Sequence, residues 1–312
     1  MKIILLGATG FLGRHLLPVL SAAGHQCIVL SRYPPDCREL AVIPGVEVQQ
    51  AAIFNDEQLE RDFAGAGAII NAVGILNERG RKGKGFQRAH VELVEKIIKA
   101  CRSCDVQRLV QISALHAGKG DSHYLVSKGQ AEDLIRAELR LHSTIVQPSV
   151  IFGEGDNFFN RFAGILKLAP VLPLACPQSR LQPVWVGDVV KAITLSLEDP
   201  ETYGQTLIMV GPDEFTLREL VEFTACTTGR KRKIIGLPNS LSRMQAWLMD
   251  FVPGKPFSTD NYRSLQTDNI SVENSLWGFG ISPRSVENTV PAYLGVSSHQ
   301  MRLDKCRRKE GG

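Results

Sequence analysis

The 312-residue sequence predicts an α/β protein, a doubly wound parallel sheet followed by a smaller C-terminal lobe. Three observations carry that expectation. Short apolar runs at 2–6, 26–30, 68–74 and 108–113 recur at intervals wide enough for a helix, the spacing of βαβ units with right-handed crossovers. The first run breaks without a spacer into a glycine-rich turn and then into Arg14-His15-Leu16-Leu17, so strand, turn and helix follow in the order such a sheet needs at its start. Apolar residues make up 44% of the chain, enough to fill one large core or a main domain with a lobe. The expected division is a main domain over 1–150 and a lobe over 151–312 that sends segments back to the sheet.

The turn is Gly7-Ala8-Thr9-Gly10-Phe11-Leu12-Gly13. Its glycines serve the backbone: one permits the sharp turn, one lets main-chain amides approach a ligand without a Cβ in the way, and one lets helix pack on strand. A helix N-terminus attracts anions through its unpaired N–H groups and its dipole, so the ligand expected there is a pyrophosphate. The spacing is Gly-x-x-Gly-x-x-Gly rather than Gly-x-Gly-x-x-Gly, but strand and helix flank it in the order a dinucleotide site requires. Residues 1–150 are therefore expected to be a Rossmann-type NAD(P)-binding domain. The second strand ends at Ser31-Arg32, where an acid would select NAD and an arginine accommodates the 2′-phosphate of NADP. Arg32, with Arg14 just past the glycine loop, favours NADP(H) over NAD(H); the alternative is a pair of surface arginines.

Alternation over 46–50 predicts a third strand, and Asn55 caps a helix that runs to Phe63. The fourth strand ends in Asn71-Ala72-Val73-Gly74, where the small residues around Ala72 and Val73 let backbone lie near the cofactor. A long helix is expected from 86 to 101, with Val91, Val94, Ile97 and Ile98 on one side, and the glycine-rich segment 79–85 before it reads as a mobile loop. After the fifth strand comes Asp121-Ser122-His123-Tyr124-Leu125-Val126-Ser127-Lys128, in which Asp121 or Ser122 caps a helix carrying Tyr124 and, one turn later on the same face, Lys128. A phenol titrating near 10 is a poor acid–base group at neutral pH, and an adjacent ammonium favours its phenolate. Such a pair can exchange a proton with a carbonyl or hydroxyl oxygen while a nicotinamide exchanges hydride. Tyr-x-x-x-Lys alone says little; its place behind a glycine loop and five alternating strands makes it specific. His123 reads as a surface histidine rather than one that tunes proton transfer at Tyr124, and Arg161 and Lys167 as either holders of an acidic substrate or a solvated helix face.

The formal charge of +4 is mild, and much of it sits in the basic end 302–309, so no nucleic-acid-binding face is indicated. That end reads as a frayed terminus rather than a lipid or partner contact. No apolar run approaches the length of a membrane span, and the first residues already belong to the core strand, so the expected compartment is the cytoplasm. Seven cysteines without a regular framework suit a reducing environment. Cys101 and Cys104 form the only close pair, with no second pair or histidine partner to build a metal site, and Cys101 falls on a buried helix face. An amphipathic helix over 240–251 bears Leu241, Met244, Trp247, Leu248 and Phe251, a stripe expected to pack on the lobe rather than to meet a membrane or quinone.

Gly7 to Gly13 and Tyr124-x-x-x-Lys128 resemble the cofactor loop and catalytic pair of the short-chain dehydrogenase/reductase superfamily. The later segments Gln147-Pro148-Ser149-Val150-Ile151-Phe152-Gly153, Phe158-Phe159-Asn160-Arg161-Phe162, Gln182-Pro183-Val184-Trp185-Val186-Gly187-Asp188 and Val210-Gly211-Pro212 are similar to the atypical branch that includes the nucleotide-binding accessory subunit of respiratory complex I and its bacterial relatives. The resemblance implies Tyr124 as acid–base, Lys128 on the ribose, and a loop from Pro148 that runs near the nicotinamide. Two departures stand out. Ser113-Ala114-Leu115 lacks the run of hydroxyl residues usual in catalytic members, leaving Ser113 as the candidate donor, and 50–52 lacks an aspartate for adenine. Two functions follow as expectations: an NADPH-dependent oxidoreductase on an unknown small carbonyl or hydroxyl substrate, or a non-catalytic NADPH-binding accessory protein of a membrane complex, peripheral at the inner face of that membrane.

Overall fold

The computed structural model describes residues 1–295 apart from Arg79 and Gly254; the basic end 302–309 lies outside the described residues. Strands β1 (Lys2–Leu6), β2 (Gln26–Ser31), β3 (Val46–Gln50), β4 (Ala68–Asn71), β5 (Arg108–Ile112) and β6 (His142–Pro148) are joined by helices α1 (Phe11–Ala22), α2 (Asp56–Phe63), a short turn α3 (Lys84–Phe86), α4 (Leu93–Ser103) and α5 (His123–Arg136). A second part of the chain adds β7 (Ile151–Phe152), α6 (Phe159–Leu168), β8 (Val171–Leu174), β9 (Arg180–Leu181), β10 (Val184–Trp185), α7 (Val186–Ser196) and β11 (Thr206–Met209). It closes with β12 (Phe215–Thr216), α8 (Leu217–Thr227), β13 (Lys233–Gly236), α9 (Asn239–Met249), α10 (Thr259–Ser264) and α11 (Val286–Leu294).

The central sheet has the order β11-β6-β5-β4-β1-β2-β3 and every pairing in it is parallel. The chain reverses direction across the sheet between β1 and β4, the switch point at whose carboxyl edge open α/β sheets hold their ligands. Both faces are covered because β1 is apolar on both sides. Ile3 and Leu5 pack with Leu16, Leu17 and Leu20 of α1 and Val189, Val190 and Ile193 of α7. Ile4 and Leu6 pack with Leu59 and Phe63 of α2, Leu93, Val94 and Ile97 of α4 and Ile135 of α5. Each fully buried leucine or isoleucine contributes about 1.5–3 kcal/mol. The smaller lobe has its own core of Phe152, Phe159, Leu166, Leu220, Val221 and Val290. β11 and α7 return from beyond residue 150 to the main sheet.

Four local expectations are corrected. β4 ends at Asn71 rather than at 74, because the Asn71 side chain takes the Val73 N–H at 3.1 Å and the chain leaves the ladder. The helix expected over 86–101 contains a π-helical stretch, Gln87–Glu92, before α4. The segment 79–85 is tethered in its described residues: the Glu78 carboxylate accepts the Gly83 and Gly85 N–H groups at 2.7 Å each, and Lys255 Nζ donates to Gly80 O at 2.6 Å. Most consequentially, the apolar stripe of α9 faces outward. Met244, Trp247 and Phe251 are 52%, 53% and 64% exposed, and the contact side of α9 consists of the small residues Ser242 and Ala246, with Ser242 Oγ accepting the Cys176 N–H.

Candidate functional site

At the carboxyl end of β1 the three glycines divide the work by geometry. Gly7 has φ +76°, and a Cβ there would lie 2.6 Å from Ala72 C and Val73 N, so the turn is pressed against the end of β4. At Gly13 a Cβ would lie 2.2 Å from Ala8 Cα, which lets α1 start flush on the strand. A Cβ on Gly10, the N-cap of α1, would meet only Gly7 O, at 3.3 Å. Thr9 and Gly10 thus present a bare backbone edge beside the first amides of α1, a cradle whose shape and dipole fit a pyrophosphate. Phe11 and Leu12 pack partly buried on the core below, and Phe11 lies near Gly153 in the loop after β7. Arg14 is exposed and fixed, its Nε donating to Thr9 O at 2.9 Å and its guanidinium meeting the Glu39 carboxylate at 2.5 Å. Arg32 is exposed just past the end of β2.

Across the switch point, Lys128 of α5 reaches the other side of the crevice. Its Nζ donates to Ile112 O at 2.9 Å and stands 3.6 Å from where a Cβ on Gly74 would be, between the ends of β4 and β5. Burial pulls this ammonium down to about 8, with Glu132 opposing the shift. Tyr124, one turn earlier, is half-buried with its ring set edge-on against Phe86 and His90 at centroid distances of 6.2 and 5.7 Å. Desolvation pushes its phenol up to about 12, which runs against the expectation that Lys128 holds it toward phenolate: burial is the cause of the shift, and the phenol is held neutral.

His90 comes from the π-helical stretch, and nothing in the sequence marked it. Its Nε2 accepts the Ile75 N–H at 3.3 Å while Nδ1 faces Ser127 Oγ at 2.8 Å, and Ser127 Oγ donates to Tyr124 O at 2.9 Å. Those partners select the neutral Nδ1–H tautomer, and burial, followed by Lys128, pulls the imidazole down to about 2. A π-turn at a functional position is a recurrent device, and here it joins the loop after β4 to the helix that carries Tyr124.

Ser113 does not join the pair. Its hydroxyl donates to Glu132, a buried carboxylate that also accepts Gln147 Nε2 at 2.8 and 2.9 Å and Arg136 at 2.7 Å. The reason is strand alternation: Gln111 and Ser113 project to the α5 side of the sheet, where Gln111 meets Asn71 at 2.8 Å. Pro148 lies at the end of β6, and its carbonyl accepts the Leu115 N–H at 2.9 Å. Ser122 caps α5 by accepting the Leu125 N–H, and a second carboxylate arrives from the lobe: Asp260 of α10 accepts the N–H groups of His123 at 2.7 Å and Tyr124 at 3.1 Å. No local signal announces a cap donated across 136 residues. Beside this junction a cleft of about 230 Å³ is lined by Glu78, Arg81, Phe86, His123, Trp247 and Asp260, among others. His123 thus lines a cleft, whereas Arg161 donates to Pro256 O and Lys167 is solvated at the end of α6.

Fold and site together define a Rossmann-type protein that binds a nicotinamide dinucleotide along the carboxyl edge of its sheet. A family model described as NAD(P)H-binding matches residues 7–157. The chain is 31% identical over 240 residues to a ceramide reductase of Caulobacter vibrioides, covering 75% of this chain and 72% of that one. It is 29% identical over 287 residues to the NADH dehydrogenase [ubiquinone] 1 alpha subcomplex subunit 9 of Arabidopsis thaliana, covering 86% and 71% respectively. An Escherichia coli NADPH-dependent quinone oxidoreductase, solved with NADPH, superposes with TM-score 0.75 at 16% identity over 94% of this chain and 99% of that one, a likeness of fold. The chain belongs to the NAD(P)H-binding short-chain dehydrogenase/reductases, in the atypical branch these relatives represent.

Proposed function

We propose that the protein is an NADPH-dependent oxidoreductase that reduces a carbonyl compound, with Tyr124 as the proton donor and Lys128 orienting the cofactor ribose. The observation that carries this reading is the Tyr124–Lys128 pair on one helix, with Lys128 Nζ held at the ends of β4 and β5 opposite the glycine cradle. Bound NADPH supplies the hydride. A phenol held neutral by burial can give its proton to the alkoxide that develops on the substrate oxygen, whose basicity exceeds its own. Lys128, anchored on Ile112 O, has donors left for ribose hydroxyls at Gly74. Arg32, exposed at the end of β2, supplies the charge for a 2′-phosphate, so NADPH is the proposed cofactor.

A second reading is a non-catalytic NADPH-binding accessory subunit of a membrane complex. It is favoured by the engagement of the Ser113 hydroxyl with Glu132 and by Ala114 beside it, which leave the substrate oxygen without a second side-chain donor, and by the relatives named as NADH dehydrogenase subunits. The test is Tyr124→Phe, assayed for NADPH oxidation across a panel of aldehydes, ketones and quinones and for NADPH binding by calorimetry. The catalytic reading expects turnover by the wild type, a loss of at least about a hundredfold in the variant, and unchanged binding. Binding without turnover by the wild type selects the accessory reading.

A further inference from the structure

The outward stripe of α9 does not stand alone. α9 follows β13 directly, and Gln245 on α9 donates to Pro173 O of β8, whose partner in the β8–β13 ribbon is Ile235. Val171 and Ile235 on that ribbon are exposed, as is Leu168 at the end of α6. Among the described residues, nine of the seventeen exposed large apolar side chains therefore fall on α6, the β8–β13 ribbon, α9 and the segment 250–252 that follows it. That concentration exceeds the scattered exposure of an ordinary surface. The four residues Arg230-Lys231-Arg232-Lys233 lead into β13, Arg243 projects from α9 and Arg263 from α10, and Lys231, Lys233, Arg243 and Arg263 are exposed. Among the described residues none of these four makes a salt bridge.

Three acids that share a cleft with Trp247 and Arg263 are each engaged by other groups of the fold. Asp250 is engaged by Arg81 and by Thr259 Oγ1, Asp260 by the amides of α5, and Glu78 by the amides of Gly83 and Gly85. The outward charge is thus cationic around an apolar centre of Trp247, Leu248, Met244 and Phe251. We infer that this face is a docking surface for an anionic lipid bilayer, with α9 lying in the plane of the interface. An indole and a phenyl ring at one end of the stripe suit the headgroup–acyl boundary, while long basic side chains keep their charge among phosphates. Charge complementarity decides for lipid over a second copy of the chain, whose identical face would bring cation against cation.

The inference goes beyond the proposed function and is tested separately from it. The full chain is mixed with vesicles of phosphatidylcholine alone and with 30% phosphatidylglycerol, and its partition is read by flotation for wild type, Trp247→Ser/Phe251→Ser and Lys231→Glu/Lys233→Glu. The expected result is binding to the anionic vesicles on the order of tenfold tighter than to the neutral ones, weakened by 0.5 M salt and reduced about tenfold in each double variant. Calorimetric binding of NADPH at wild-type strength shows that the variants are folded. Equal binding by wild type and variants overturns the inference, since another surface would then be responsible. So does an absence of vesicle binding, whether light scattering then shows a monomer or a dimer that the Trp247→Ser/Phe251→Ser change dissolves.

Discussion

Lys128 is where burial and charge meet most directly, and its consequence for stability has a definite sign. Its native pKa of about 8 lies below its ordinary value of 10.5, so between those limits the unfolded chain holds the extra proton. Stability attributable to this group therefore rises as pH climbs through the window, whereas below pH 8 both states are charged and the full cost of the buried ammonium is felt. Replacing Lys128 by Met removes that cost. In urea denaturation the variant should be the more stable protein at pH 7.5, with its advantage shrinking by ~3 kcal/mol by pH 10.5. A gap independent of pH would show that Lys128 is solvated. Tyr124 and Lys128 were legible because their spacing and their place after five strands lie in the sequence. The fate of Ser113 was not, because it depends on which side of β5 meets Glu132, nineteen residues away.

The same contrast holds for whole elements. The strand–turn–helix opening could be read in full, since glycine spacing and apolar runs are local properties, and a Cβ at Gly13 shows how tight the requirement is. With Ala8 Cα at 2.2 Å and Ala8 O at 2.3 Å, the obstruction is backbone and cannot rotate away. Gly13→Ala is expected to cost ~3 kcal/mol and to lower affinity for NADPH at least about tenfold by lifting the N-terminus of α1 off β1. Gly10→Ala should fold nearly normally, its Cβ only 3.3 Å from Gly7 O, and lose affinity alone. Thermal denaturation and calorimetry on the two variants check the division; equal unfolding of both would show that Gly10 is also a packing residue. α9 resisted reading because a 3.6-residue apolar period records that a stripe exists and not which way it faces. The deciding fact is that Ser242 and Ala246, small and unremarked, let the helix lie close on the lobe by its other side.

At the scale of the whole molecule, the lobe holds the start of the helix that carries Tyr124 and Lys128. Asp260 on α10 accepts two amides at the start of α5, Asn261 donates to Leu76 O at 3.1 Å, and Lys255 donates to Gly80 O, so the lobe is tied both to the loop after β4 and to the helix start that carries Tyr124. A helix start is the place where a carboxylate has most effect, because those N–H groups have no partner within the helix and the dipole favours negative charge. Asp260→Ala strands both amides at the lobe interface, at a cost of ~1–3 kcal/mol. The pyrophosphate cradle is built from β1 and α1, and Lys128, one turn further along α5, is anchored on Ile112 O independently of Asp260, so NADPH affinity should stay within about twofold of wild type. Turnover should fall by about tenfold or more, since displacement of the Tyr124 ring by a fraction of an ångström spoils a proton transfer without disturbing cofactor binding. Asp260→Asn keeps one acceptor oxygen but sets its amide NH2 against the second backbone N–H, since the two amides are taken by different carboxylate oxygens, so it should recover only part of the loss. If instead affinity and turnover fall together in Asp260→Ala, the lobe and the dinucleotide domain are coupled through the cofactor, and Asp260 acts on folding of the site rather than on the placing of one side chain.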